Sequence, residues 1–247
     1  MTKTERADVR YDHAQILFLH PIGLDQHVWS DVLVPGAIAL DFPGHGAAAA
    51  GAVSMSGLAD HVLGHITGPA TLVGLSLGGM VALQVAMRAP DAVASIVVAC
   101  SNSATDPRVM RERAAMTRDR GMKGVLGATL ERWFTPQALS VSGHPGVEYA
   151  TRRLLEDDPE VVTQYWEAMA EHDVTAQLGS IRIPATFIAG ATDRASSPEV
   201  LEGMANAVPG AALRVVDGPH MLPLERPREF SAVLAEHLDR VYGGSQS

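Results

Sequence analysis

Short apolar runs recur along the chain at 15–19, 37–41, 71–73, 95–99, 185–189 and 213–216. Most are continuously hydrophobic rather than alternating, the pattern of strands covered on both faces. Helical spacing fills several of the gaps. Strands alternating with helices predict an α/β fold built on a mostly parallel, doubly wound sheet. Pro227 suits the first turn of a closing helix, on which Phe230, Val233, Leu234, Leu238 and Val241 recur at helical intervals. That helix is expected to stop at Gly243-Gly244 and leave Ser245-Gln246-Ser247 frayed.

The alternation breaks between 102 and 180, a segment rich in Arg and Glu with no convincing buried strand. It predicts several helices. One starts at Asp158-Pro159-Glu160, with Asp as cap and Pro at the first position, and gathers Val162, Tyr165, Trp166 and Met169 on one face. The expected organisation is a core of residues 1–101 and 181–247, with 102–180 inserted as a helical cap over the strand ends. The stretch 70–87 runs 18 residues without a charge, long enough to span a bilayer. Its Gly residues and its split into a strand and a helix point instead to a turn inside the core.

That turn is Gly74-Leu75-Ser76-Leu77-Gly78-Gly79, a G-x-S-x-G placed between an apolar strand and an apolar helix. At such an elbow the Ser backbone is strained and its hydroxyl stands out at the top of the sheet. Gly74, Gly78 and Gly79 leave room where strand and helix nearly touch. A Ser hydroxyl needs a base, and the base needs an orienting acid. With this elbow the partners follow in the order Ser, acid, His. Asp193 follows the run 185–189, and His220 follows the run 213–216, both at carboxyl ends of strands. The predicted triad is Ser76, Asp193 and His220, with Asp217 a rival acid set only three residues from the His. The oxyanion hole should take one N–H from Leu77 and one from the loop His20-Pro21-Ile22-Gly23. Pro21 has no N–H, so the second donor is Ile22, with Gly23 the alternative.

Composition narrows the partners. The formal charge is −9, which argues against a nucleic-acid binder but leaves room for a local Arg cluster. The single Cys, Cys100, lies in an apolar run and reads as a buried thiol. The charged start Met1–Arg6 shows no secretory signal, so the cytoplasm is the expected compartment. His61 and His65 stand at i, i+4 without a third ligand or an adjacent Glu base, so no metal site is assigned.

Taken together, Leu19-His20-Pro21-Ile22-Gly23, Trp29, Asp41-Phe42-Pro43-Gly44-His45-Gly46, the elbow, Ala189–Asp193 and His220 with Glu225-Arg226-Pro227 resemble the α/β-hydrolase family over nearly the whole chain. The family commonly has His-Gly where this chain has His20-Pro21, and the leader before His20 implies a reduced opening hairpin. Within the family the cap segment Leu130-Glu131-Arg132-Trp133-Phe134-Thr135-Pro136 and the continuation Gly78-Gly79-Met80 look most like the 3-oxoadipate enol-lactonases. The resemblance implies a cofactor-independent serine hydrolase opening a small carboxylated lactone in aromatic catabolism. A small-molecule carboxylesterase, a C–C bond hydrolase and a hydrolase-fold ligand sensor are the alternatives. An anionic substrate calls for an Arg in a partly dry pocket. Arg132 and Trp133 are the chosen substrate contacts, with Arg111, Arg113, Arg118, Arg120 and Trp166 as further candidates. Membrane partners are not expected, and the oligomeric state is open.

Overall fold

The apolar runs fold as parallel strands because both of their faces are covered. The computed structural model of the protein describes residues 14–32 and 34–243. The leader Met1–Arg6, the opening hairpin and the tail Ser245-Gln246-Ser247 lie outside the described residues. Six strands are present among those described: β1 (Gln15–Leu19), β2 (Ile38–Leu40), β3 (Ala70–Leu75), β4 (Val93–Ala99), β5 (Ala185–Gly190) and β6 (Ala212–Val216). They form one all-parallel sheet in the order β2-β1-β3-β4-β5-β6. The chain leaves β1 toward one edge and returns on its other side as β3. The order therefore reverses between β1 and β3, where an open α/β sheet leaves a crevice at its carboxyl ends.

The strand limits differ from the apolar runs for local reasons. β3 runs on to Gly74 and Leu75, which pair with Leu19 of β1 and Ala99 of β4. β2 stops at Leu40 because the Asp41 carboxylate turns back to accept the N–H groups of Gln26 (2.8 Å) and Ala47 (3.0 Å). The two edge strands depart from the two-faced rule: β2 exposes Ile38, and β6 exposes Arg214 and Val215.

Helices α1 (Met55–Leu63) and α2 (Leu77–Arg88) follow β2 and β3. Residues 70–87 are thus β3 and most of α2, and no described helix is long and apolar enough to cross a membrane. Between β4 and β5 come α3 (Pro107–Trp133), α4 (Pro136–Ser140), α5 (Pro145–Glu156) and α6 (Pro159–Ala170). A bridge between Ala104 and Asp173 brings the start and end of this excursion together. α6 is capped by Asp158, which accepts the Glu160 N–H at 2.8 Å, and buries Val162, Tyr165, Trp166 and Met169 as its spacing predicts. α3 is broken at Gly121, whose φ of 63° and ψ of 176° are not helical. That positive φ suits a residue without Cβ. After β5 come α7 (Pro198–Ala207), then β6, the short α8 (Leu222–Glu225) and the closing α9 (Pro227–Tyr242). α9 buries Phe230, Leu234 and Leu238 as predicted, and also His237.

Candidate active site

Ser76 sits at the exit of β3 with φ 54° and ψ −114°, a conformation costly for any residue with a Cβ. The surrounding contacts impose it. A Cβ on Gly74 would lie 2.2 Å from the Gly78 carbonyl oxygen, and one on Gly78 would lie 2.0 Å from that of Leu19. No Cβ survives such distances, so strand and helix meet this closely only with glycine at both places. The elbow is also pinned from β4. Ser76 N–H donates to Ala99 (2.9 Å), and the Ser101 hydroxyl donates to the Ser76 carbonyl (2.7 Å).

The residues predicted as acid and base meet. His220 Nδ1 lies 2.8 Å from Asp193 Oδ2. The other carboxylate oxygen accepts the N–H groups of Ala195 (2.7 Å) and Ser196 (3.1 Å). Burial pushes the Asp193 carboxyl up, but His220 and these two donors outweigh it and hold the group below its ordinary range. The rival Asp217 is exposed, and its recorded contact is a backbone one, from Arg226 Nε at 2.9 Å. Cys100 is buried as expected, with Sγ within 4.8 Å of an Asp193 carboxylate oxygen and a His220 ring nitrogen. Burial, with the Asp193 charge beside it, pushes the thiol well above its usual range, so it stays protonated.

The loop after β1 is held by two buried imidazoles. His20 Nε2 accepts the Phe42 N–H (2.9 Å), which puts its proton on Nδ1, 2.7 Å from the Pro21 carbonyl. His45 Nε2 accepts the Gly23 N–H at 3.1 Å. Burial lowers His20 to about 4 and, with the nearby His20, lowers His45 to about 3, so both are neutral near pH 7. The Gly23 N–H is thus engaged by His45, while Ile22 lines the Ser76 cavity. Leu77, the other expected donor, opens α2 directly after Ser76 and is fully buried.

Behind this loop lies a charged cluster that the sequence reading did not find. Arg153 of α5 lies 2.9 Å from Asp25, close enough for an ion pair though out of line for a hydrogen bond. Arg153 also contacts Asp157 directly and Glu156 at 3.0 Å. Tyr149 donates to Asp25 at 2.8 Å. One oxygen of Asp157 is buried without a hydrogen-bond partner, 4.0 Å from His45. Burial raises Asp157 to about 7, against its attraction to Arg153. A carboxyl raised on folding keeps a proton that the unfolded chain releases near 3.8. Its stabilising share is full below that value and is lost as pH rises through about 7. Asn at this position is neutral throughout. The melting temperature of Asp157→Asn relative to wild type should therefore be more favourable at pH 8 than at pH 5. Equal offsets at the two pH values would show that Asp157 stays ionised.

Ser76 and His220 open onto one cavity of ≈ 200 Å³, which Ile22, Arg113, Arg132, Trp133 and Trp166 also line. Trp133 is tied to the His220 loop, because the Met221 N–H donates to its carbonyl at 3.1 Å. Arg113 lies over the Trp166 ring, 5.1 Å from its centroid. Burial lowers Arg113, and burial plus the charge of Arg113 lowers Arg132 to about 10. Among the described residues neither has a carboxylate partner; Arg132 makes one long bond, 3.4 Å, to the Ala128 carbonyl. Arg111 and Arg118 do not reach the cavity. Each is exposed and paired at 2.8 Å, with Glu171 and Glu167 respectively. His61 and His65 are held by backbone carbonyls, His61 on Asp41 at 3.1 Å and His65 on His61 at 2.9 Å.

These features agree with what the chain resembles. The pattern of the Alpha/beta hydrolase family matches residues 16–233. The chain is 27% identical to 3-oxoadipate enol-lactonase 2 of Acinetobacter baylyi, over 89% of this chain and 86% of that one. It is 29% identical to the pimeloyl-acyl-carrier-protein methyl ester esterase of Chromobacterium violaceum, over 91% and 94%. Among solved structures, the enol-lactonase from Burkholderia xenovorans LB400 superposes with a TM-score of 0.86 at 26% identity, covering 93% of each chain. A match spanning the elbow, the His–Asp pair and the six-stranded sheet places this chain in the alpha/beta hydrolase family, as a hydrolase.

Proposed function

We propose that the protein is a cofactor-independent serine hydrolase that opens a small carboxylated enol-lactone of the 3-oxoadipate type. The observation that carries this reading is the strained Ser76 facing the same cavity as His220, itself locked by Asp193, with two arginines in the wall that have no carboxylate partner among the described residues. The enol-lactonases among the relatives support the substrate class.

In this mechanism Ser76 Oγ attacks the lactone carbonyl while His220 takes its proton and Asp193 steadies the imidazolium. The N–H groups of Ile22 and Leu77 receive the oxyanion. The ring C–O bond breaks, the enol oxygen takes the proton from His220, and the acyl group stays on Ser76. His220 then activates a water that releases the dicarboxylate. Direct attack by that water is the variant to exclude, by trapping the acyl-enzyme. Arg132, with Arg113 beside it, receives the substrate carboxylate, and Trp133 lines the pocket. Residues 102–180 act as the cap that keeps this pocket partly dry. The substrate is small, anionic and cytoplasmic; nucleic acid and membrane are not partners.

The methyl ester esterase relative supports a second reading, carboxylesterase action. A substrate panel separates the two. The lactonase reading expects carboxylated enol-lactones to exceed p-nitrophenyl acetate and saturated γ-lactones by orders of magnitude in kcat/KM. Arg132→Met should then cost about 10- to 100-fold on the carboxylated lactone, the range for a hydrogen bond to a charged group, and leave neutral lactones nearly unchanged. A preference for simple esters would replace the lactonase reading with the esterase one.

A further inference from the structure

Arg113, Arg132, Trp133 and Trp166, which wall the Ser76 cavity, also wall a second space of ≈ 80 Å³ beside it, lined further by Met116, Met122, Val125, Ala128, Leu154 and Val162. The break at Gly121 falls between the two segments of α3 that line it. Met116 belongs to the first half of α3, and Met122, Val125 and Ala128 belong to the second, so the two halves turn their side chains toward one channel. Met116 and Ala128 are exposed, so the channel reaches the surface. The reaction cavity has its own outlet at Asp106 and Val109, which are also exposed. A second arm is therefore not needed for admission, and its wall is mostly apolar, with Thr117, Thr129 and Arg120 the polar side chains beyond the two shared arginines.

We propose that this channel seats a short alkyl chain on the acyl side of the substrate, so that the enzyme acts on amphiphilic esters and lactones. The proposal rests on the reading of Ser76 as nucleophile. The reacting carbonyl lies at Ser76, the chain passes between the aliphatic stems of Arg113 and Arg132, and its end lies among the Met and Val side chains. Long side chains commonly bury such stems while their charged heads stay with polar groups. Met suits a seat for chains of varied length because it adapts its shape.

The test is a series of p-nitrophenyl esters from acetate to hexanoate. Each buried methylene contributes about 0.8 kcal/mol, so kcat/KM should rise about threefold to fourfold per added carbon. Ala128→Phe fills the channel at an exposed helix position that the fold tolerates. It should bring hexanoate down to the acetate level and leave acetate within about twofold, on the same per-methylene scale. A flat wild-type series would overturn the proposal. So would an equal loss on acetate and hexanoate in Ala128→Phe, which would make the channel a passage. If no ester in the series is turned over, the channel is judged by binding alone, and the nucleophile reading is judged separately by loss of lactone turnover in Ser76→Ala. Tryptophan fluorescence of Ser76→Ala, titrated with hexanoate and acetate, should saturate at lower hexanoate concentration, and adding Ala128→Phe should remove the difference. Identical titrations would refute the seat.

Discussion

Ser76→Gly is expected to abolish hydrolysis and at the same time raise the melting temperature. At φ 54° and ψ −114° the Ser76 backbone carries strain of about 1–3 kcal/mol for any residue with a Cβ. Glycine relieves it, at a cost of about 0.4–1 kcal/mol from the greater freedom of the unfolded chain. The Ser76 side chain makes no capping hydrogen bond, so little else is lost. A net gain near 1 kcal/mol shifts the melting temperature of a domain this size upward by about 2–4 °C. Activity should fall by at least about 10⁴-fold, as it does when the nucleophile of such a triad is removed. Ser76→Ala should be equally inactive but without the thermal gain, because alanine keeps the Cβ. A lower melting temperature in Ser76→Gly would show that the elbow stores no strain. Residual activity above about 1%, far over that scale of loss, would mean that Ser76 is not the nucleophile.

Much of the site was legible because it depends on local rules. Gly74 and Gly78 stand where any Cβ would strike backbone, so the chain has to spell out the elbow in glycine. Asp193 and His220 directly follow apolar runs, so reading the strands places them. The hydrogen bonds that fix the loop after β1 are a different matter. Gly23 is bonded to His45, and Arg153 reaches Asp25 from a helix more than a hundred residues away. Such pairings exist only once the sheet and the inserted helices have packed, and no spacing announces them. The same limit applies to the arginines. Arg111 and Arg113 are two residues apart, yet one is exposed against Glu171 and the other lies over Trp166 in the cavity. Residues two apart on a helix point to nearly opposite sides, and which side of α3 turns inward is settled by its packing against α6. Gly124 and Gly127 sit nearby in the same helix with ordinary geometry, so the sequence does not mark which glycine bends.

Asp193→Asn should be the second most damaging change, and its effect can be read from the hydrogen bonds. Asp193 Oδ1 accepts two N–H groups, from Ala195 and Ser196, and Oδ2 faces His220 Nδ1. Asn has one acceptor oxygen and one NH₂ group. The two backbone donors can be satisfied only by the oxygen, which leaves the NH₂ against Nδ1. His220 must then accept at Nδ1 and carry its proton on Nε2, the nitrogen meant to take the Ser76 proton. The geometry survives and the tautomer is wrong. Acid-to-amide replacement in a Ser–His–Asp triad lowers kcat by about 10⁴-fold for this reason, and a similar loss is expected here with KM little changed. Asp217 is exposed and cannot substitute. Asp193→Ala should behave differently, because it strands the buried Ser196 N–H and the half-buried Ala195 N–H and so lowers stability as well as activity. An Asn variant within tenfold of wild type would mean that His220 acts without its acid. A loss matched by thermal destabilisation in Asn as well as Ala would mean that Asp193 serves the loop 190–196 rather than the imidazole.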